Sequence, residues 1–229
     1  MSEFIHDSKA TIVRNRMRLC ALASTLFLAC AFMLAAGCGG GPLGLTGGSI
    51  PIGTAALRGV VVRADNVTKP VEGAVVTLQT GSLHNDATCD INGLFDIGKF
   101  VGGSFSCSVQ PPENSDLSKT WNWDFPLNNQ APGQIIIALW PARFDPATVG
   151  SVTMSPTQYT MHVGDTIRLS ANAYDTTSAL LVVKPSFLLL GSGATIQPDG
   201  LVRATALGSV TIYAWMAGKM ATTTISVIP

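Results

Sequence analysis

From Leu57 onward the chain is a succession of short β-prone runs divided by turn residues: LRGVVVRA, GAVVTLQT, ATC, GLFDIG, SFSCSVQ, then TWNWDF and QIIIALW. Strands and turns at this spacing predict an all-β sandwich. Along GAVVTLQT, Ala74, Val76 and Leu78 alternate with Val75, Thr77 and Gln79, which gives one apolar and one mixed face, the mark of a half-buried strand. Low charge with 23 Gly and 13 Pro in 229 residues also favours strands over helices.

The N-terminus reads differently. Residues 19–36 (LCALASTLFLACAFMLAA) carry no charge, follow a basic stretch with Lys9, Arg14, Arg16 and Arg18, and end in small residues, the layout of a secretory signal. The same run is long enough to span a bilayer, so an uncleaved helix oriented by its basic flank is the alternative. Four of the 14 basic and two of the 14 acidic residues precede the run, which leaves ten against twelve. That balance offers no electrostatic footprint for nucleic acid. Met17 is a second start, which would leave a minimal signal with Arg18 alone.

At the end of the run, Ala35-Ala36-Gly37-Cys38 resembles the bacterial lipobox, with Ala35 where that motif prefers Leu. The resemblance implies cleavage after residue 37, lipidation of Cys38 and attachment to a membrane through the N-terminal lipid. Gly39, where some families carry a retention Asp, points to the outer membrane in a diderm cell. Residues 38–54 then form an acylated cysteine and a charge-free, glycine-rich flexible linker. Of five cysteines, Cys20 and Cys30 leave with the signal, and Cys89 and Cys107 remain in folded protein. These two either form a disulfide or serve as small buried hydrophobes.

The residues LRGVVVRADNVTKPVEGAVVTL and ATCDINGLFDIGKFVGGSFSCSV resemble the carboxypeptidase regulatory-like domain, a transthyretin-like sandwich. Gly59, Pro70, Gly73, Ala74, Asp90, Asn92, Gly93 and Phe95 carry the likeness, and Phe105 stands at the usual Tyr place. It covers about residues 55–141. The turn DINGLF echoes an EF-hand loop, but placing Gly93 sixth puts Thr88 first and Lys99 twelfth, where carboxylates are needed. A turn with positive φ at Asn92-Gly93, and Phe95 entering the core, is expected instead. In TWNWDF, Trp121, Trp123 and Phe125 share one strand face and Asn122 and Asp124 the other. The three aromatics are either a ligand contact, an aromatic platform for a glycan, or core packing.

Residues 142–148 read as a proline-bearing linker. Beyond it, Pro156, Gly164, Leu169, Asp199, Gly200, Val202, Ala204, Gly208, Ile212 and Ala214 carry a resemblance to the bacterial Ig-like group 2 domain of surface proteins, over residues 149–229. Phe187 stands where that family usually places a Trp. The run Phe187, Leu188, Leu189 and Leu190 exceeds what alternation needs. Either part of it is exposed as a partner contact, or the strand is buried on both faces by the neighbouring module. Tyr213 and Trp215 share a face of the penultimate strand.

Two tandem β-sandwiches after a lipoprotein signal helix and flexible linker are therefore expected. Of the histidines His6, His84 and His162, neither of the last two has a zinc-ligand spacing, and no G-x-S-x-G elbow or G-x-x-x-x-G-K-[ST] loop occurs. The closing Tyr-Arg-Gly-Ser of the transthyretin-like hydrolase of purine breakdown is absent after Trp140. The reading is a non-catalytic, lipid-anchored cell-envelope protein with no cofactor or metal, whose partners are envelope proteins or glycans. A glycan-binding surface lipoprotein using Trp121, Trp123 and Phe125 is the alternative.

Overall fold

The computed structural model describes residues 48–127 and 133–229. Cys38, the signal before it and the linker as far as residue 47 lie outside the described residues. Gly47–Pro229 forms one compact unit, and its described residues are strands and turns with one short 3-10 helix.

The first half holds β1 (Ala55–Arg63), β2 (Asn66–Pro70), β3 (Val75–Thr80), β4 (Leu83–Thr88), β5 (Leu94–Phe100), β6 (Gly103–Gln110), β7 (Asn122–Leu127) and β8 (Gly133–Leu139). One edge of β1 pairs with β5 and then β2, the other runs parallel to β8 from Leu57↔Gly133 to Arg63↔Leu139. A separate sheet has the order β4-β3-β6-β7. The second half holds β9 (Val149–Ser155), β10 (Gln158–His162), β11 (Thr166–Arg168), β12 (Ser170–Asp175), β13 (Ser186–Leu190), β14 (Ala194–Ile196), β15 (Leu201–Ala204), β16 (Gly208–Met216) and β17 (Lys219–Ile228).

The halves are not strung on a linker. β13 pairs antiparallel with β8, from Phe187↔Ile136 to Leu190↔Gly133, so one eight-stranded sheet runs β10-β17-β16-β13-β8-β1-β2, with β5 also on β1. The expected linker 142–148 is ordered: Asp145 accepts from the Ala147 N–H at 2.9 Å to cap a 3-10 turn, Pro146–Thr148, and Phe144 packs on Trp140 with ring centroids 5.9 Å apart.

Register assigns the faces, because residues directly opposite in a ladder point the same way. On one face of the shared sheet lie Leu57, Val61, Ile135, Ile137, Leu139, Ser186, Leu188 and Trp215; on the other lie Val60, Val62, Ile136, Ala138, Phe187, Leu189, Ile212 and Ala214. The sheet β4-β3-β6-β7 turns Val76, Leu78, Phe105, Cys107, Val109, Trp123, Phe125 and Leu127 inward, while Ser104, Ser106, Ser108, Asn122 and Asp124 face out. The two-stranded sheet β9-β12 and the three-stranded sheet β11-β15-β14 make up the remaining strands, in the second half. At β8 and β13 both faces are buried: Ile135, Ile136, Ile137, Ala138 and Leu139 in one, Phe187, Leu188 and Leu189 in the other. Strands covered on both faces read as continuous apolar runs rather than alternating ones. QIIIAL and SFLLL are those runs.

Two glycines show why the first half folds as it does. A Cβ on Gly59 would sit 2.2 Å from the Ile135 carbonyl oxygen and 2.7 Å from the Phe95 ring, so only a bare backbone lets that ring lie across β1. Gly93 has φ +71°, and a Cβ there would meet the Val61 carbonyl oxygen at 2.4 Å. Before it, Asp90 Oδ1 accepts from the N–H groups of Asn92 and Leu94, both at 2.8 Å, an Asx turn that delivers Phe95 to the core. Positive φ falls on Gly93 and not on Asn92.

Candidate functional site

All four tryptophans of the chain converge where the halves join. Trp121 and Trp123 flank the start of β7, Trp140 follows β8, and Trp215 lies on β16. Trp215 is stacked against Trp123 (centroids 5.4 Å, 12° between planes) and against Trp140 (6.3 Å, 28°), and Trp121 meets it edge-on at 5.5 Å. Trp123 also meets Phe125 edge-on at 5.5 Å. Such aromatic pairs contribute roughly 0.5–1.5 kcal/mol beyond area burial.

Buried polar groups fix this junction. Ser186 Oγ accepts from Trp121 Nε1 at 3.2 Å and from the Ala138 N–H at 3.0 Å, which lengthens the β8-β13 ladder by one bond beside Pro185. Gln134 of β8 donates through Nε2 to the Ile196 carbonyl at 2.8 Å and accepts the Ile196 N–H at 3.0 Å, so its amide acts as a backbone bridge to β14. The Lys184 N–H donates to the Ala64 carbonyl at 2.8 Å. The segment before Trp121 is strapped across the end of β8. Ser118 N–H donates to Trp140 O at 2.9 Å, and Ala142 N–H donates to Asp116 O at 2.7 Å. Arg63 forks between Asp65 (2.9 and 3.0 Å) and Asp116 (2.5 and 2.9 Å). Hydrogen bonds from this guanidinium hold both carboxyls below the usual range, and the carboxylates bind its proton more firmly in return. Among the described residues, two buried side-chain atoms have no hydrogen-bond partner: Ser115 Oγ and Trp140 Nε1.

Beside the cluster lies a cleft of about 660 Å³. Thr120, Asn122 and Asp124 form one wall, Trp123, Trp140 and Trp215 contribute to its lining, and Pro146, Ala147, Ala217, Gly218 and Met220 complete it. It opens where the sheet β4-β3-β6-β7 ends at β7 while the shared sheet beneath continues through β16 and β17.

This geometry corrects the expected ligand contact. Trp121, Trp123 and Phe125 are 1%, 5% and 5% exposed, and Trp121 and Trp123 are both packed against Trp215. A sugar stacks on a free ring face, and this strand presents none. The expected partner contact is corrected too. Phe187, Leu188 and Leu189 are buried, Leu190 is half-buried, and their strand is paired on both edges, by β8 and β16. The disulfide fails on register. Cys107 lies opposite Leu78, whereas the Cys89 N–H donates to the carbonyl of Ala74, four residues before Leu78 and just ahead of β3. That offset is about 14 Å at about 3.4 Å per residue, well beyond the Cα separation a disulfide spans. Both thiols are free and buried. Ser186 and Gln134 carried no signal in a single sequence, since each acts through long-range partners that only the fold supplies.

No family model matches the chain, and no curated protein matches it. Among solved structures, the Bacillus anthracis TIE protein is similar at 10% identity and TM-score 0.33, over 78% of this chain and 33% of that one. The S-layer protein SbsC is similar at 12% identity and TM-score 0.31, over 72% and 20%. A C-terminal fragment of intimin, solved in complex with the intimin-binding domain of its translocated receptor, is similar at 15% identity and TM-score 0.26, over 73% and 60%. The chain thus spans a third or less of the length of the first two. The fold class is all-β, built of β-sandwich layers.

Proposed function

We propose that the chain is a non-catalytic, lipid-anchored protein of the bacterial cell envelope, and that its carboxypeptidase regulatory-like and group 2 Ig-like segments act together as one rigid interaction module. The observation that supports this most is the shared sheet. A β8-β13 ladder with doubly buried strands fixes the angle between the halves, which suits a spacer that must present a surface in a set orientation. Residues 35–38 support the anchor, with Cys38 as the acylated residue, and Gly39 supports the outer membrane in a diderm cell. The partners this reading implies are envelope proteins or glycans.

The anchor is tested by labelling with a radioactive or alkyne fatty acid in a host able to lipidate. Label should enter the full chain and be lost on Cys38→Ala, with the signal left uncleaved. Equal labelling of the variant would refute it. The non-catalytic role is tested by assaying the purified chain for hydrolysis of ester, amide and glycoside reporters, where turnover above a heat-treated control would count against it.

A further inference from the structure

We infer that the open edge of β7 takes an extended peptide of a partner protein, added as a further strand to the sheet β4-β3-β6-β7 and seated in the tryptophan-lined cleft. This names a class of partner for the interaction role proposed above and rests on it.

The edge chemistry comes from register. The Val109 N–H donates to the Trp121 carbonyl, so in the antiparallel pairing Trp121, Trp123, Phe125 and Leu127 turn their main-chain groups to β6. Asn122, Asp124 and Pro126 therefore direct theirs to the other edge, which no strand among the described residues covers. Pro126 has no N–H and closes one end of that edge, as proline does on natural sheet edges. What remains are the N–H and C=O groups of Asn122 and Asp124, the two residues of β7's outer face that line the cleft. A row of main-chain donors and acceptors at strand spacing is matched by another extended backbone.

The layer geometry selects its side chains. An added strand about 4.8 Å beyond β7 would lie about 10 Å above the shared sheet, over the part of β16 and β17 that β7 leaves bare. The residues there on that face are Trp215, Tyr213, Met220 and Thr222. Met220 is 55% exposed, a large apolar side chain in the cleft with nothing over it. Alternate residues of the peptide would face it and should be apolar. The intervening ones would face solvent beside Asn122 and Asp124, where a cationic side chain complements the carboxylate. Ala147, Ala217 and Gly218 leave room opposite the edge, and Trp140, whose indole N–H lacks an acceptor, lines the same space.

The test uses the full chain and a blocked octapeptide in which valine alternates with threonine and lysine. Because three of the four tryptophans, Trp123, Trp140 and Trp215, line the cleft, tryptophan emission reports binding directly. A saturable spectral shift is expected. Asp124→Pro removes an outward N–H and should weaken binding roughly tenfold or more, whereas Asp124→Ala keeps the main chain and should bind within a few-fold of the parent. If the proline variant misfolds by circular dichroism, the protein is left unchanged and the peptide is N-methylated, at its valines in one version and at the intervening residues in another. One of the two must then fail to bind. No shift up to millimolar peptide, equal binding by Asp124→Pro, or binding by both methylated peptides would overturn the inference. Dimerisation of the free chain that Asp124→Pro abolishes, with no response to peptide, would assign the edge to a second copy and overturn it as well. A failed titration leaves fatty-acid labelling at Cys38 untouched, so this inference and the envelope reading can fail separately.

Discussion

Ser186→Ala tests whether the two halves are one cooperative body. The residue is 2% exposed, and its hydroxyl oxygen is the acceptor for both Trp121 Nε1 and the Ala138 N–H. Alanine fits the space but leaves two donors buried without acceptors. At about 1–3 kcal/mol for each orphaned group, less for any that reaches water, the loss should be roughly 2–4 kcal/mol. For a folded unit of this size that corresponds to a fall in melting temperature of roughly 5–15 °C. Urea unfolding should be followed by tryptophan emission, which reports the junction, and by far-ultraviolet circular dichroism, which reports every strand. Both probes should give one coincident transition, shifted equally, because a defect at the β8-β13 seam destabilises a single structure.

A double-mutant cycle isolates the hydrogen bond. Trp121→Phe removes one donor and leaves Ser186 serving Ala138, so the double variant orphans one group where Ser186→Ala orphans two. The two losses should fall short of additivity by about 1–2 kcal/mol. Additivity within about 0.5 kcal/mol would show that the hydroxyl does not serve the indole. A shift in emission with an unmoved dichroism transition would show two independent sandwiches, and the shared sheet would be wrong.

Gly59→Ala forces a Cβ into the Ile135 carbonyl and the Phe95 ring, and should cost about 3 kcal/mol or more, read as a lower urea midpoint. Cys89 and Cys107 should resist a thiol reagent at pH 8 until the chain unfolds, since burial pushes the Cys89 thiol up to about 12 and the Cys107 thiol further. The sign of the linked pH effect follows. The folded state keeps these protons while the unfolded state releases them above about pH 9, so stability should fall with rising pH by about 1.4 kcal/mol per unit for each thiol, and Cys107→Ala should remove its share. Asp65 and Asp116 run the other way. Their folded values lie below the unfolded one, so the hold of Arg63 on the strap before Trp121 is complete above about pH 4 and lost as pH falls through the folded values, which hydrogen exchange of Ser118 and Ala142 should show.

The all-β class and the faces of β3 and β7 were legible because both strands alternate strictly, and the turn at Gly93 because its residues carry local chemistry. β2 (NVTKP) and most of β4 (LHNDAT) were not, since they are polar peripheral strands whose pairing depends on β1 and β3 rather than on their own composition. The tryptophans were readable one strand at a time. That Trp215 would stack against both Trp123 and Trp140 depends on how two sheets from distant parts of the chain overlap, and a single sequence carries no record of that.

The departures from alternation carried the most information about architecture. In a lone sandwich each strand has one face to the core and one to water, so IIIAL in β8 and FLLL in β13 are anomalies if each half is taken separately. They are explained together by one arrangement, in which each strand is the edge of its own half and becomes interior when the two edges pair. An exposed strand edge with apolar residues on both faces would be an aggregation hazard. Pairing β8 with β13 removes both edges at once, and the offset of the covering layers buries both faces of each. It follows that neither half should be soluble alone. A fragment ending at residue 141 exposes the edge of β8 and one face of Ile136 and Ala138, and a fragment starting at 149 exposes β13 with Leu188 and Trp215. Expressed separately, each should precipitate or form oligomers, and mixing them during refolding should restore a monodisperse complex with the tryptophan emission of the intact chain. Two well-behaved monomeric fragments would contradict the shared sheet more directly than any point substitution.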